Sequence, residues 1–481
     1  MLTPKEELGE LVIDPTLYTR QSPLPDASSL RIYDTTLRDG EQMPGVAMSA
    51  QQKYRLAREL SDLGCHIVDL CFPTVSASEG ELLRLTREGR LRKEIREEME
   101  ILVMCRASRR DVDATLQILA DSGFAPGEIT FLIFTSLSSL HVKYKLGPML
   151  LKREGRDPQE LRETPVEFFL AANRRMLADA VRYARERGVR RVEFGGEDAS
   201  RTPVSQIIDL TRDAVAAGAC RYVFADTTGS LTPEATRIYC STLTAAFPHI
   251  ERVTHFHDDF GLAAANTIAG VLNGFTTFTT TLNGIGERAG NAPLHSVVVA
   301  LKYLYGLEIP GFRYDRLHEA KRLVEDLTGV AVHPKEPVIG RNVYTHESGI
   351  HTHGVGIHRA MYEPIPYEEV GGTARFLYGK HSGTANLASL LERRQDELEQ
   401  EITGELVLEV LEEIKGRRES LIDPAKTAAI VRSHYANLDL LGFTEDQVVL
   451  MARDLVRRKR EMQRARTYQP AALSWEAPEG V

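Results

Sequence analysis

Short apolar segments alternate with longer amphipathic segments over the first three fifths of the chain. The apolar segments are rich in β-branched and aromatic residues, which is typical of buried strands. The segments between them, such as "SAQQKYRLARELSDLG", keep apolar residues at helical spacing. Eight strand–helix units in one row predict an α/β fold, a (β/α)8 TIM barrel. The predicted strands are "RIYDTTLRDG" from Arg31, "HIVDLCF" from His66, "EILVMCRAS" from Glu100, "EITFLIFTS" from Glu128, "RVEFGGED" from Arg191, "RYVFADTTG" from Arg221, "RVTHFHDD" from Arg252 and "FTTTLNGIGERAGN" from Phe278.

Reactive side chains crowd the C-terminal ends of these predicted strands. Arg38 and Asp39 follow the first apolar run, Glu197 and Asp198 follow the fifth, and His257 follows the seventh. Barrel enzymes build their active sites at that end of the barrel. The pattern therefore predicts a catalytic barrel.

Changes in the pattern of apolar and polar positions divide the chain into four regions. We expect an N-terminal arm over residues 1–30, a catalytic barrel over 31–310, and a turn-rich, histidine-rich linker subdomain over 311–385 that completes the active site. Charged helical patterns over 386–481 predict a smaller, mainly helical C-terminal domain. Within the barrel, the longest gap in the pattern, Leu140 to Pro165, is predicted to be an elaborated loop.

Composition narrows the class of protein. The 481 residues are 42% hydrophobic and 26% charged, with a formal net charge of -9, which is typical of a soluble globular protein and disfavours nucleic acid as a partner. Five scattered cysteines without a Cys-x-x-Cys pair indicate a reducing compartment. The start of the chain lacks the pattern of a signal peptide, and no apolar run approaches the roughly 20 residues that span a bilayer. We expect a cytoplasmic protein with small-molecule partners and no membrane contact.

The stretch "THFHDDFGLAAAN" is the strongest candidate for a metal site. In a strand, His255 and His257 point to the same face, and Asp259 would join them. Such a face is costly to bury unless it binds something, and imidazoles with a carboxylate from a neighbouring strand suit a divalent metal. Asp39 would lie beside them once the barrel closes. The alternative is that both histidines are satisfied polar residues at the barrel mouth.

Arg38 and the loop "NGIGERAGN" are further candidates at the same end of the barrel. An arginine beside a metal suits a substrate with a carboxylate or with a carbonyl that becomes anionic, although a surface salt bridge is the alternative. The loop does not match G-x-G-x-x-G, so it does not predict a dinucleotide site. We expect it to deliver Asn291 to the metal, and Glu287 and Arg288 to a polar network.

The stretch "HESGIHTHGVGIH" carries more histidines than one reaction needs. His351 is the candidate for proton transfer, because imidazole titrates near neutral pH. Structural or surface roles are expected for His346, His353 and His358.

The motifs taken together resemble one enzyme family. "DTTLRDGEQ", "EDASRT", "DTTG", "HFHDDFGLAAAN", "NGIGERAGN", "HESGIH" and "GKHSG" occur in this order between about residues 31 and 385. They resemble the 2-isopropylmalate synthase, homocitrate synthase and citramalate synthase family. The resemblance implies a metal-dependent acyltransferase that condenses acetyl-CoA with a 2-oxo acid, releasing CoA and a 2-hydroxy-2-alkyl dicarboxylate. It also implies a homodimer that exchanges its second domain.

The resemblance further implies roles for particular residues. A divalent cation, which the donor types leave open as zinc, manganese, magnesium or cobalt, would be held by Asp39, His255, His257 and Asn291. Arg38 would face the keto oxygen of the substrate, and Thr227 would meet its 2-carboxylate. The acid–base residues would be Glu197, His351 and Tyr362, of which the last two would reach over the barrel mouth, often from the neighbouring subunit.

Departures from the family pattern bear on the substrate. Homocitrate synthases carry an arginine and a histidine that face the distal carboxylate of 2-oxoglutarate, and here those places hold Glu193 and Ser108. Gly195 replaces the usual serine. We therefore expect 2-oxoglutarate to be disfavoured, and a substrate pocket shaped by Ser108, Thr130 and Gly195.

Other differences leave the acceptor acid open. Asp69 and Cys71 stand where the family usually has Glu and Gly, which alters the pocket floor. Arg109 or Lys143 could serve a second anionic group, as in oxaloacetate or phosphonopyruvate.

Two other functions remain as alternatives. One is a lyase similar to 3-hydroxy-3-methylglutaryl-CoA lyase, but those enzymes place a cysteine in the glycine-rich loop, and "NGIGERAGN" has none. The other is a non-catalytic metal-binding barrel kept as a binding or assembly module.

Overall fold

The first part of the chain folds as a closed barrel of eight parallel strands in sequential order, with β8 pairing with β1. The computed structural model describes residues 15–17, 19, 23–398, 402–421, 425–426, 428–430, 432–433, 443 and 445–467. The predicted (β/α)8 barrel is confirmed. Its strands are β1 (Arg31–Asp34), β2 (Ile67–Cys71), β3 (Glu100–Arg106), β4 (Thr130–Ser136), β5 (Arg191–Glu197), β6 (Arg221–Asp226), β7 (Glu251–Phe256) and β8 (Thr277–Thr280).

Side chains point alternately inward and outward along the strands, and the inward ones fill the inside of the barrel in layers. A middle layer of apolar side chains includes Leu102, Leu132 and Val253, all buried. Below it, at the N-terminal end of the strands, the fully buried Arg221 pairs with Glu193 at 2.8 Å and with Glu100 at 2.9 Å. This charged layer closes the floor, so the open space of the barrel lies at the C-terminal ends of the strands.

Amphipathic helices surround the strands and bury their apolar faces against them. Local signals fix the helix ends: Ser49 and Gln52 form a capping box before the first helix, which ends at Gly64 in a left-handed conformation. The helices of the barrel region are α1 (Ala50–Leu63), α2 (Ala77–Leu91), α3 (Arg109–Asp121), α4 (Ser139–His141), α5 (Gly147–Arg153), α6 (Val166–Glu186), α7 (Val204–Ala216), α8 (Pro233–Ala246), α9 (Ala263–Val271), α10 (Leu294–Tyr305) and α11 (Leu317–Thr328).

The prediction of a loop from Leu140 to Pro165 is wrong, because most of that segment is helical. The short helix α4 continues into a π-helical turn, Val142–Leu146, and then into α5, and a 3-10 helix follows at Pro158–Leu161. Val142, Leu150 and Leu151 are fully buried and hold this segment against the barrel. The sequence pattern was misleading because the apolar positions of a π turn depart from the helical spacing of 3.6 residues.

The region after the barrel contains short elements with little regular sheet. Two short strands pair in parallel, and a small core of Leu387, Val407 and Leu411 joins the helices that follow. The elements of this region are β9 (Thr345–His346), α12 (Gly349–Ile357), β10 (Arg375–Phe376), α13 (Thr384–Arg393), α14 (Gln395–Leu398) and α15 (Gly404–Leu421).

The chain separates into two compact units, Met1–Asp423 and Pro424–Val481. In the second unit, the main described element is the long helix α16 (Glu445–Thr467). Much of the predicted arm over residues 1–30 and the tail after Thr467 lie outside the described residues. Among the helices that the structure describes, none is both long and apolar enough to cross a membrane.

Candidate active site

A cavity of about 340 Å³ opens at the C-terminal end of the barrel. Its wall contains side chains from β1, β5 and β7 or from the turns that follow these strands, as the position of the polar residues predicts. Of the residues predicted from the sequence, those that line it are Arg38, Asp39, Gly195, Glu197, Thr227, His255, His257, Glu287 and Arg288.

Three buried side chains in this wall could hold a metal ion. One ligand atom from each of Asp39, His255 and His257 lies within 4.8 Å of the others. His255 Nε2 is 3.1 Å from Asp39 Oδ2, and the two imidazole rings are 5.1 Å apart and perpendicular. The other nitrogen of His255, Nδ1, is 3.0 Å from Thr279 Oγ1, a contact that fixes the orientation of the ring.

Asn291 lies against this cluster and offers a fourth ligand atom. Its Nδ2 donates to Asp39 Oδ2 at 2.7 Å, while its Oδ1 is buried without a hydrogen-bond partner among the described residues. His257 Nδ1 is buried and unpartnered in the same way. Buried polar atoms are normally satisfied, so these free lone pairs, together with a carboxylate and two imidazoles, fit a divalent metal.

The protonation of the cluster also suits metal binding. Burial alone would raise the pKa of Asp39, but the charge of Arg38 and the hydrogen bond with His255 outweigh it and hold the pKa well below its usual range. Burial lowers the pKa of His257 to about 4, so its imidazole is neutral near neutral pH. An ionised carboxylate and a neutral imidazole are the forms that coordinate metals.

Arg38 lies beside the cluster and is held by a buried carboxylate. Its Nε donates to Asp69 Oδ2 at 2.6 Å, and its Nη1 is 3.8 Å from Asp39 Oδ2. Burial would lower the pKa of Arg38, but the charges of Asp69 and Asp39 outweigh it and raise the pKa. The guanidinium is therefore a fixed positive charge at the edge of the cluster, and its expected role toward the keto oxygen stays a prediction.

Glu197 stands at the end of β5 and is held by two donors. Ser136 Oγ donates to its Oε2 at 2.6 Å, and Lys145 Nζ lies 2.7 Å from Oε1 and 2.6 Å from Oε2. Burial would raise the pKa of Glu197, but the hydrogen bonds from Lys145 and Ser136 outweigh it and lower the pKa. Sequence reasoning missed Lys145, since it selected Lys143 from the same segment.

Unusual backbone conformations occur around the cavity. Asp198 and Arg288 have positive φ values of 62° and 54°, which is rare outside glycine. The Asp198 N–H donates to Thr227 Oγ1 at 2.8 Å, and Arg288 donates to both carboxylate oxygens of Asp259 at 2.8 and 2.7 Å. We expected Asp259 to join His255 and His257, and this prediction is wrong. The strand β7 ends at Phe256, and the chain turns before Asp259.

Two of the expected substrate contacts lie elsewhere. Thr130 is the first residue of β4 and donates to Glu100 Oε1 at 2.8 Å in the floor of the barrel, about 20 Å along the strand from its C-terminal end. Ser108 caps α3, where its hydroxyl accepts the Asp111 N–H at 3.1 Å. Neither side chain lines the cavity, so Thr130 and Ser108 do not belong to the candidate site.

The two alternative cations for a second anionic group are also committed to other contacts. Arg109 forms an exposed pair with Asp179 at 2.7 Å, and Lys143 donates to the carbonyl oxygens of Arg162 and Thr164 at 3.3 and 3.0 Å. These contacts hold both side chains outside the cavity wall.

His351 and Tyr362 are paired with each other, away from this cavity. Their rings stack with centroids 4.2 Å apart, and both side chains are exposed, Tyr362 by 38%. His346 is buried beside them and contacts the buried Glu363 at 3.3 Å, a structural role as expected. Within the described part of the chain, no residue of 311–385 lines the cavity.

Two family models match the chain. Residues 29–152 and 162–324 match the model described as HMGL-like, and residues 338–420 match the model "Homocitrate synthase post-HMGL domain-like". A crystal structure of hydroxymethylglutaryl-CoA lyase from Pseudomonas aeruginosa is similar to this chain at 20% identity with a TM-score of 0.50, covering 64% of this chain and 95% of that one. This similarity concerns the fold alone, so the lyase is a distant structural relative.

Curated relatives are more similar in sequence. The 2-isopropylmalate synthase of Sulfurisphaera tokodaii is 36% identical, covering 84% of this chain and 96% of that protein. The homocitrate synthase AksA of Methanocaldococcus jannaschii is 37% identical, covering 81% and 88%. A protein of Methanopyrus kandleri that provisionally carries the name (R)-citramalate synthase CimA is 39% identical, covering 86% and 73%. With this similarity along most of its length, the chain belongs to the HMGL-like family and is an enzyme of the group that contains the 2-isopropylmalate, homocitrate and citramalate synthases.

Proposed function

We propose that this enzyme condenses acetyl-CoA with a 2-oxo acid, giving a 2-hydroxy-2-alkyl dicarboxylate and CoA. The observation that carries the proposal is the buried cluster of Asp39, His255 and His257 with the unpartnered Asn291 Oδ1, lying beside the fixed charge of Arg38. A cation with an adjacent arginine is the arrangement needed for a substrate whose keto oxygen becomes anionic. The relatives' names point to the same chemistry.

The residues of the cavity have distinct tasks in this reaction. Asp39, His255, His257 and Asn291 would hold a divalent cation, which when bound supplies Lewis acidity toward the keto group of the 2-oxo acid. Arg38 donates hydrogen bonds to the keto oxygen and stabilises the negative charge that develops there. Thr227, which follows β6 and lines the cavity beside β7, orients the 2-carboxylate.

The residues proposed to surround the proton-transfer step are Glu197, His351 and Tyr362. His351, with Glu197 and Tyr362 in support, removes a methyl proton from acetyl-CoA, and the resulting enolate carbon bonds to the keto carbon. The alkoxide then takes up a proton, and water cleaves the thioester to release CoA as the thiol. Because His351 and Tyr362 are exposed and do not line the cavity of their own barrel, we propose that a second copy of the chain presents them at the mouth.

The charged and apolar side chains of the cavity wall indicate which 2-oxo acid is accepted. Of the two guanidinium groups in this wall, Arg38 faces the keto oxygen and Arg288 is paired with Asp259. Neither is left for a distal carboxylate, so 2-oxoglutarate and oxaloacetate are disfavoured. The apolar lining consists mainly of Phe72, Met104, Leu132, Phe134 and Val223. This lining suits an acceptor with a short aliphatic side chain.

Gly195 sets the room for that side chain. A methyl group placed on Gly195 would meet Leu132 Cδ1 at 3.1 Å and Phe134 Cβ at 3.6 Å. The position beside Gly195 is therefore already filled by Leu132, and a larger residue there would push this apolar lining into the cavity. Because longer aliphatic side chains bury more apolar surface against this lining, we expect 2-oxobutyrate and 2-oxoisovalerate to be better acceptors than pyruvate.

The test is thiol release from acetyl-CoA with a panel of acids. Purified protein is incubated with a divalent metal and with pyruvate, 2-oxobutyrate, 2-oxoisovalerate, oxaloacetate, 2-oxoglutarate or phosphonopyruvate. We expect release with the aliphatic acids, loss of release and of bound metal in His255→Ala, and neither loss in His249→Ala, whose side chain is exposed and precedes the N-terminal end of β7. Protein that holds metal and releases no thiol with any acid would contradict the proposal.

A further inference from the structure

The Glu197 carboxylate is hydrogen-bonded by Lys145, whose side chain does not itself line the cavity. Lys145 Nζ lies within hydrogen-bond distance of both carboxylate oxygens, at 2.7 and 2.6 Å. Glu197 lines the cavity, whereas Lys145 approaches from outside the wall and is half exposed. These two contacts fix the plane of the carboxylate and favour its ionised form.

A special backbone feature delivers this lysine. Lys145 belongs to the π-helical turn Val142–Leu146 between α4 and α5, and such turns are rare and occur frequently at functional sites. Lys143, in the same turn, faces the carbonyl oxygens of Arg162 and Thr164 and does not reach Glu197. The π turn therefore separates two nearby lysines and directs one of them to the cavity wall.

The other charges around Glu197 do not replace this contact. His141, from the helix before the turn, is 3.7 Å from Glu197 Oε1 and 3.8 Å from Asp198 Oδ2. On the strand end itself, Asp198 is paired with Arg201 at 2.7 Å. From β4 comes only the neutral hydroxyl of Ser136, and from the turn after β6 comes the neutral Thr227, which is bonded to the Asp198 N–H. Among the described residues, Lys145 is thus the only lysine or arginine within hydrogen-bond distance of Glu197.

We propose that Lys145 is a positioning residue that holds Glu197 ionised and oriented in the cavity wall, so that Glu197 acts as a permanent anion beside the proton-transfer residues. This inference rests on the proposed function. It assigns Glu197 the task of stabilising a positive charge on the neighbouring base, and it excludes Glu197 as a proton donor. The lowered pKa of Glu197 agrees with this role.

The pH dependence of turnover tests the role of Lys145. The turnover number is measured from mildly acidic to mildly alkaline pH for the wild type, Lys145→Met, Lys145→Arg and the matched control Lys143→Met. In Lys145→Met, burial is no longer opposed by the lysine, so the pH below which activity is lost should rise by about 1–3 units while KM for the 2-oxo acid stays near that of the wild type. Lys145→Arg keeps a charge in reach and should restore the profile. Lys143→Met should keep it.

The possible results are distinguishable. A uniform loss of activity in Lys145→Met, with no shift along the pH axis, would show a merely structural role and overturn the inference. Turnover that is unchanged in Lys145→Met at every pH would overturn it as well, while leaving the proposed function intact. A wild-type protein that releases no thiol from acetyl-CoA with any acid would overturn the proposed function, and the inference with it.

Discussion

At the scale of single residues, the pair formed by Arg38 and Asp69 combines a cost in stability with a gain in function. The Asp69 side chain is fully buried and that of Arg38 is only 12% exposed, and Asp69 Oδ1 has no hydrogen-bond partner among the described residues. Burying two charges is expensive, and removal of one partner leaves the other charge uncompensated. The pair nevertheless fixes a guanidinium beside the metal cluster, which a hydrophobic pair could not do.

Asp69→Ala should therefore destabilise the protein by about 3 kcal/mol, because Arg38 loses its buried partner. The measurement is the free energy of unfolding of the barrel in urea. Glu88→Ala, which removes the partner of Arg92 in an exposed pair, is the control and should cost less than about 1 kcal/mol. Equal effects of the two substitutions would show that Arg38 is stabilised without Asp69.

His66 makes the stability of the barrel depend on pH. The imidazole Nδ1 of His66 accepts the Ile32 N–H at 3.1 Å, and the backbone N–H of His66 donates to the Ile32 carbonyl at 3.0 Å. Together these bonds join β1 to the start of β2. Burial, assisted by the charges of Arg31 and Arg96, lowers the pKa of His66 to about 4. The unfolded chain binds the proton more readily, so the stabilisation from neutral His66 is complete above its ordinary pKa of about 6.5 and is lost as pH falls toward 4.

Acidification from above pH 6.5 toward pH 4 should lower the free energy of unfolding of the wild type by about 1–2 kcal/mol more than that of His66→Asn. This difference allows for the partial exposure of the ring. Asparagine can keep an acceptor near the Ile32 N–H and does not titrate. Thermal unfolding midpoints of both proteins at neutral and mildly acidic pH provide the comparison. Parallel pH curves for the two proteins would assign the acid sensitivity to other groups.

At the scale of elements, the loop "NGIGERAGN" presents Asn291 to the metal cluster through glycines that admit no side chain. Gly290 has a φ of +93°, and a methyl group on it would lie 2.0 Å from the carbonyl oxygen of Gly284. A methyl group on Gly286 would lie 2.8 Å from Asn291 Oδ1. The loop can therefore keep its shape only with glycine at these positions.

Gly290→Ala should displace Asn291 and lower metal affinity by about 10- to 100-fold, the range seen when groups that support a ligand are removed. The barrel should stay folded, as judged by circular dichroism. Gly261→Ala is the matched control: its φ is +70°, but nothing lies within 4 Å of the added methyl group. It should cost only about 1 kcal/mol of backbone strain and leave the metal content unchanged. Full metal content in Gly290→Ala would remove Asn291 from the site.

The elements also show how far sequence reasoning reaches. Strands and most barrel helices follow from apolar periodicity, and the metal cluster follows because parallel strands end at one edge of the barrel. The segment holding Lys145 could not be predicted, because a π turn has no periodic signal and its lysines are indistinguishable in sequence. Thr130 was misplaced for another reason: its position along the strand decides between floor and mouth, and strand boundaries are the least certain part of such a prediction.

At the scale of the whole molecule, the barrel and the region after it carry different parts of one reaction. The metal cluster, Arg38 and Glu197 line the cavity, whereas the stacked pair of His351 and Tyr362 lies in a region with several exposed apolar side chains. These are Ile350, Ile357, Met361, Tyr362, Phe376 and Leu377. Exposed apolar residues next to unused acid–base groups are what a surface covered by a second copy of the chain would show.

Complementation between two inactive variants tests this arrangement. His255→Ala lacks a metal ligand, and His351→Ala lacks the base, so each homodimer should be inactive. If His351 acts on the cavity of the partner, a mixed dimer places both defects at one site and leaves the other site intact. Random mixing of equal amounts makes half of the dimers mixed, each with one working site, so about a quarter of the wild-type activity should appear on co-expression. In the opposite arrangement, where His351 serves its own barrel, both sites of the mixed dimer carry one defect each and the mixture stays inactive. Activity of the co-expressed pair, measured as thiol release and compared with each variant alone, therefore decides which chain completes the active site.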